Sequence, residues 1–244
     1  MSERARRLVL AEDIPEGLSE IRLDDDAAHY VTRVLRLAEG ARVEAIGRGG
    51  RHVEGRLSWR EGHPWIEGAC TQTTPAPVAP LVVIAALIKP NRWEWMLEKA
   101  AELGATDIAP LNAARSVVKI PAERLKKRVA RWQKIVDGAT RQCGRPDRVL
   151  VHPPSALADA LSAWSHLSLG HADEGAHLDA WPAWPAGKGR AIVIGPEGGF
   201  TEEERDVLRA AGAHAIGLGT SLLRAETAVV CVLSALRLRD AELW

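Results

Sequence analysis

The chain has 244 residues, 46% of them hydrophobic and 26% charged, with 32 Lys/Arg matched by 32 Asp/Glu. That is the composition of a globular protein with a real core, and it excludes a chain that is mostly disordered. No run approaches the roughly 18–20 apolar residues of a membrane span, MSERARRLVL lacks a signal peptide's apolar stretch, and Cys70, Cys143 and Cys231 form no C-x-x-C pair; a cytoplasmic protein without disulfides is expected.

Residues 24–37, DDDAAHYVTRVLRL, predict a short helix. ARVEAI at 41–46 and HVEGRL at 52–57 flank GRGG at 47–50 and predict a β-hairpin. A small β-barrel-like domain with one helix would contain both. Three prolines in TQTTPAPVAP, 71–80, mark a boundary between a domain at 1–73 and one at 74–244. Beyond it the apolar runs LVVIAALI (81–88), LVH (150–152), HLSLG (166–170), AIVIG (191–195) and AIGLG (215–219) alternate with helical patterns. Continuous apolar strands of this kind belong in a parallel sheet buried on both faces, so the class is α/β. The helix after the first run puts Trp93, Met96, Leu97, Ala100 and Leu103 on one face and stops at Gly104. The next has Leu125, Val129, Trp132, Val136 and Ala139 at 4-3-4-3 spacing, leaving Lys126, Lys127, Arg128, Arg131 and Lys134 on a wet, positive face. Thr201 and Glu204 form a capping box that opens a further helix.

The charge is unevenly distributed. Residues 115–148 hold eleven Lys/Arg against three Asp/Glu, whereas residues 1–74 hold eleven against thirteen. A solvated surface is the plain reading of such a run, but its concentration, together with Arg33 and Arg36 beside His29, favours contact with phosphates. Such contacts position a nucleic acid without specifying a base. His166, His171 and His177 match no zinc spacing and have no cysteine support, so no metal is expected. Nine tryptophans against one Phe and one Tyr read mostly as core.

Two segments carry the signs of a ligand site. IGPEGGF, 194–200, is a glycine turn at the end of a buried strand, where backbone can approach a ligand and where open α/β sheets bind their ligands. It lacks G-x-G-x-x-G, which argues against a nicotinamide-dependent dehydrogenase. A tight structural turn is the alternative, but Glu197 is an odd choice for packing alone. GLGTSLLRAETAVVCVLSALRL, 217–238, again feeds a helix from a strand and loop, with Arg224 and Glu226 at its start, either as one ion pair or as part of a pocket shared with the first loop.

IGPEGGFTEEE followed by LGTSLLRAETA resembles the carboxyl-terminal signature of the RsmE family, bacterial 16S ribosomal RNA uridine-N3 methyltransferases of the SPOUT class. KPNRWEWMLEKAAELGA at 89–105, Arg115-Ser116, Gln142 to Arg145 and His29 to Arg36 follow that family's other landmarks in the same order. Arg141 stands where the family usually has a glutamate. The resemblance implies an amino-terminal PUA-like barrel and a carboxyl-terminal SPOUT α/β domain with a trefoil knot, in a homodimer acting on 16S rRNA of the small subunit. It also implies S-adenosylmethionine as cofactor, held by Leu169, Gly170, Ile194, Gly195, Pro196, Glu197, Gly198, Leu218, Gly219, Ser221, Leu222 and Leu223. RNA contacts would come from His29, Arg33, Arg36, Lys89, Arg92, Arg115, Arg141, Gln142 and Arg145, with Lys126, Lys127 and Arg131 added from the basic face. Uracil N3 must lose a proton when it is methylated, so a base and an anion stabiliser are useful: Glu226 could take the proton and Arg224 could stabilise charge on the uracil oxygens, or the two could form a mutual salt bridge. The competing readings are a sister SPOUT methyltransferase acting on ribose or another base, and a non-catalytic ribosome-assembly factor.

Overall fold

In a computed structural model the chain is described over residues 5–47, 51–73, 79–172, 183–185 and 187–239, with side chains at 69–73 left aside. The expected turn residues 48–50, the prolines at 75 and 77 of the expected boundary, and His177 lie outside the described residues. The chain forms two units, Met1–Ala76 with Thr140–Arg148, and Pro77–Ala139 with Val149–Trp244.

The first unit is built on a five-stranded sheet of β1 (Arg6–Val9), β2 (Glu20–Arg22), β3 (Arg42–Ile46), β4 (Arg51–Arg60) and β5 (His63–Thr73), in the order β1-β3-β4-β5-β2. The predicted hairpin is present, with Ala45 opposite Val53 in antiparallel register. A second hairpin, β4 to β5, turns through Glu61 and Gly62, both at positive φ (51° and 78°), the two-residue turn whose twist matches the strands it joins. The predicted helix is shorter than its segment. Asp24 caps α1 (Asp25–His29) by accepting from the Ala27 amide at 2.8 Å, and the chain then widens into a π-helical turn over Tyr30–Val34. Leu8, Val31, Val43, Val53, Leu57 and Ile66 are among the side chains that close the core.

The second unit is a six-stranded, wholly parallel sheet: β6 (Leu81–Ala86), β7 (Asp107–Leu111), β8 (Leu150–Val151), β9 (Ser168–Ala172), β10 (Arg190–Ile194) and β11 (His214–Ile216), in the order β11-β9-β10-β6-β7-β8. All six residues of β6 are buried, and their alternation explains why. Val83 and Ala85 face a core with residues of α2 (Pro90–Glu102), α3 (Ala122–Cys143) and α6 (Ala225–Arg239), whereas Val82, Ile84 and Ala86 face one with residues of α4 (Leu157–Ala163) and α5 (Glu202–Ala210). α2 starts with Pro90, which loses no helical hydrogen bond there, and ends before Gly104 at φ 94°. The Thr201–Glu204 capping box is formed in both directions. Strand β7 was not among the apolar runs. No helix among the described residues is long and apolar enough to cross a membrane.

Candidate active site

The strand order places β9, β10 and β11 side by side, so the loops leaving their carboxyl ends meet. They enclose a cavity of about 320 Å³ together with the first turn of α6. From the loop after β10, Ile194, Gly195, Pro196 and Glu197 line it; from the loop after β11, Leu218, Gly219, Ser221, Leu222 and Leu223 do. Leu169, Gly170 and Gly198, expected beside them, are not among the residues that line it. Leu169 points into the core on the α4/α5 side, Gly170 is pressed against Ile216 and Trp184, and Gly198 backs onto Arg115. Ala172 lines the cavity from the end of β9 instead, and Gly199, Phe200, Arg205, Ala225 and Ala228 complete it. Gly199 and Phe200 lie in the glycine segment 194–200, and Ala225 and Ala228 in the segment 217–238, whereas Ala172 and Arg205 carried no sequence signal.

The glycines have definite reasons. A Cβ at Gly195 would stand 3.1 Å from the Phe200 ring, so a side chain there would push the ring away. Gly219 holds φ at 104°, a conformation that L side chains rarely adopt. The loop after β10 is also tied from outside: Arg115 Nη1 donates to the Gly198 carbonyl at 2.8 Å and to that of Phe200 at 3.4 Å. Glu204 accepts from the Ala114 amide at 2.8 Å with one oxygen and from the Thr201 amide at 2.9 Å with the other. Just beyond, the carboxyl of Glu203 is held below its ordinary range by hydrogen bonds from its own amide and the Thr201 side chain. Arg115, expected on RNA, also fastens this loop from an exposed position.

Arg224 and Glu226 do not pair with one another. Arg224 is exposed and lines the cavity, and its carbonyl accepts the Ala228 amide at 2.8 Å as α6 begins. Glu226 is buried behind the wall at 8% exposure, with Oε1 3.5 Å from Arg92 Nε and Oε2 without a hydrogen-bond partner. Arg92 Nη1 lies 3.5 Å from Glu197 Oε1. A second expected RNA contact is therefore shared between two carboxylates.

The remaining RNA candidates divide the same way. His29, Arg33 and Arg36 in the first unit are exposed, as is Gln142, and the Arg141 guanidinium stacks 4.5 Å over the ring of Tyr30. Arg145 is taken up by Asp147 through Nε and Nη2 at 2.9 and 2.5 Å. In the second unit Lys89, Lys126 and Lys127 are exposed. Arg131 instead makes two 2.8 Å bonds to Glu94, and these hold the Glu94 carboxyl below its ordinary range. Of the cations expected on RNA, Arg92, Arg115, Arg131 and Arg145 have acceptors within the protein. Among the described residues no group of three or more His, Cys, Asp or Glu is placed to hold a metal ion.

A crevice at the carboxyl ends of a parallel sheet, walled by glycine loops, defines an α/β ligand-binding domain, and residues 74–237 match the family model of the RNA methyltransferase domain. Ribosomal RNA small subunit methyltransferase E of Bacillus subtilis is 31% identical over 86% of this chain and 87% of its own length. That of Mycobacterium bovis is 29% identical over 93% and 90%. The crystal structure of a ribosomal RNA small subunit methyltransferase E from Neisseria gonorrhoeae bound to S-adenosyl methionine superposes with a TM-score of 0.83 at 27% identity, covering 97% of this chain and 98% of that one. This chain belongs to the ribosomal RNA small subunit methyltransferase E family.

Proposed function

We propose that the protein transfers a methyl group from S-adenosylmethionine to N3 of a uridine in 16S ribosomal RNA of the small subunit, working as a homodimer. The observation that carries this is the 320 Å³ cavity walled by Ile194–Glu197 and Leu218–Leu223, the two segments on which the family resemblance rests. Its volume falls in the range of about 300–1,000 Å³ usual for small-ligand sites. Its lining also suits this ligand: Ile194, Leu218 and Leu223 offer apolar walls for a nucleoside, backbone at Gly195 and Gly219 allows close approach, and Glu197 brings negative charge towards a cationic donor. When bound, the cofactor supplies a methyl carbon that accepts the N3 electron pair as the carbon–sulfur bond breaks onto sulfur.

The chain's own residues then have two tasks. Arg224, exposed at the cavity wall, stabilises negative charge growing on the uracil oxygens. Glu226, in the first turn of α6, is the group we assign to receive the N3 proton. The division at 1–73 and 74–244 goes with this reading, the first domain a PUA-like barrel that binds RNA and the second a trefoil-knotted SPOUT domain. Support for the first comes from the five-stranded sheet and from the exposed His29, Arg33 and Arg36 of the helical segment; support for the second comes from the family and from the neighbouring loops after β10 and β11.

The test is single-turnover transfer of labelled methyl to purified small subunits lacking the modification. Wild type should label them, and Glu226→Gln should bind cofactor normally but react about 10²–10³-fold more slowly. A folded Glu226→Gln protein nearly as fast as wild type removes Glu226 as proton acceptor. A wild type that binds no S-adenosylmethionine removes the function.

A further inference from the structure

Arg92 occupies the first turn of α2 and faces two carboxylates that arrive from distant parts of the chain. Glu197 comes from the loop after β10 and Glu226 from the first turn of α6, each with an oxygen 3.5 Å from a different guanidinium nitrogen. These distances exceed the roughly 2.7–2.9 Å of a tight charge-assisted bond, so the cation is shared between the two and committed to neither. Glu226 is buried, and taking a carboxylate out of water is costly unless a cation stands beside it. Arg92 is the cation the fold supplies. Arg224 is two residues away in sequence but points to the exposed side and lines the cavity. Glu226 is ion-paired with Arg92, whose guanidinium also faces Glu197.

We propose that Arg92 is a positioning residue for methyl transfer: it orients Glu226 and ties it to Glu197 on the wall of the cofactor cavity. It does not serve as a phosphate contact. Its role towards Glu226 rests on the reading of that residue as proton acceptor; its role towards Glu197 does not. Without the guanidinium, two carboxylates would face each other with nothing between them, and both the acceptor and the cofactor loop would shift. Misplacement of a reacting group by about 1 Å can cost on the order of 10²-fold in rate, which sets the size of effect to expect.

The test compares Arg92→Met and Arg92→Lys, each alone and combined with Glu226→Gln. Four quantities are measured: single-turnover rate on small subunits, cofactor affinity by calorimetry, RNA affinity against salt, and thermal midpoint. Arg92→Met should lose rate on the order of 10²-fold and weaken cofactor binding severalfold, with RNA affinity and its salt slope unchanged. Arg92→Lys should recover much of the rate, because a point charge still separates the carboxylates, and it keeps the test alive should the Met variant fold poorly. In the Glu226→Gln background, removing Arg92 should cost little further rate, since groups acting as one unit are not additive.

Three results overturn the proposal. One is a Met variant with wild-type rate and cofactor affinity whose salt slope falls by about 0.7–0.9, the mark of a lost phosphate contact. Another is an equal rate loss in both backgrounds, which separates Arg92 from Glu226. The last is a lowered thermal midpoint with rate and cofactor affinity intact. Should Glu226→Gln alone prove fast, the proton-acceptor reading fails, and cofactor affinity of Arg92→Met still decides the tie to Glu197.

Discussion

Replacing Arg115 with Met removes the guanidinium that holds the loop after β10 from outside while leaving the aliphatic stem. The structure allows a magnitude. The bond to the Gly198 carbonyl is 2.8 Å long, whereas the one to Phe200 is 3.4 Å and contributes little. A hydrogen bond from a charged donor is worth about 1.5–3 kcal/mol when well protected. Arg115 is exposed and water can take over the freed carbonyl, so the cost should be nearer about 1 kcal/mol. The loop contributes Glu197, Gly199 and Phe200 to the cavity, so this cost should appear in cofactor binding. At about 1.4 kcal/mol per tenfold, affinity for S-adenosylmethionine should fall about fivefold. Calorimetry on the folded variant measures it, with an RNA salt titration in parallel. Unchanged cofactor affinity combined with a salt slope reduced by about 0.7–0.9 would refute the fastener role and return Arg115 to the RNA contacts.

Gly195→Val drives a branched side chain against the Phe200 ring, an overpacking of about 1–3 kcal/mol, and should weaken cofactor binding at least severalfold; a folded variant with wild-type affinity on calorimetry would misplace the pocket. Glu94→Gln frees Arg131, so RNA affinity should rise and its salt slope steepen by up to about 0.7–0.9, whereas Lys126→Ala with Lys127→Ala should make it shallower. No change in either slope leaves α3 as ordinary surface. Glu94 also has a pH signature in thermal melts: its folded-state value is lowered, so its contribution stands above the unfolded value of about 4.3 and disappears as pH falls through the folded one. Glu94→Gln should flatten that part of the stability profile, and an unchanged profile would show the pair is absent in solution.

Local signals carried much of the reading. The two glycine segments lay where the crevice is because a turn at the end of a buried parallel strand leaves backbone exposed to a ligand, and Gly195 and Gly219 answer to a crowded neighbour and a positive φ that favour glycine. The capping box and the stop at Gly104 were legible because they depend on a few adjacent residues. Strand β7, DIAPL, was not, since Pro110 and Asp107 break the apolar run and only pairing with β6 and β8 makes it a strand. The β4–β5 hairpin hid because Glu61 takes a positive φ that its residue type does not advertise. The partners of the cations were illegible for a different reason. Arg92, Arg115 and Arg131 find acceptors 105, 83 and 37 residues or more away from them in a sense no spacing reveals, through Glu197, Gly198 and Glu94 respectively. Sequence can count charge, but the fold decides which charges remain unanswered.

The central claim is the chemistry of the product. Small subunits from a strain lacking this gene should be incubated with the purified protein and S-adenosylmethionine, digested to nucleosides, and the gained methyl located by mass spectrometry. One N3-methyluridine in 16S ribosomal RNA is the predicted result. A 2′-O-methyl nucleoside, a methyl on another base, or no transfer to subunits by a folded, cofactor-binding protein would contradict it.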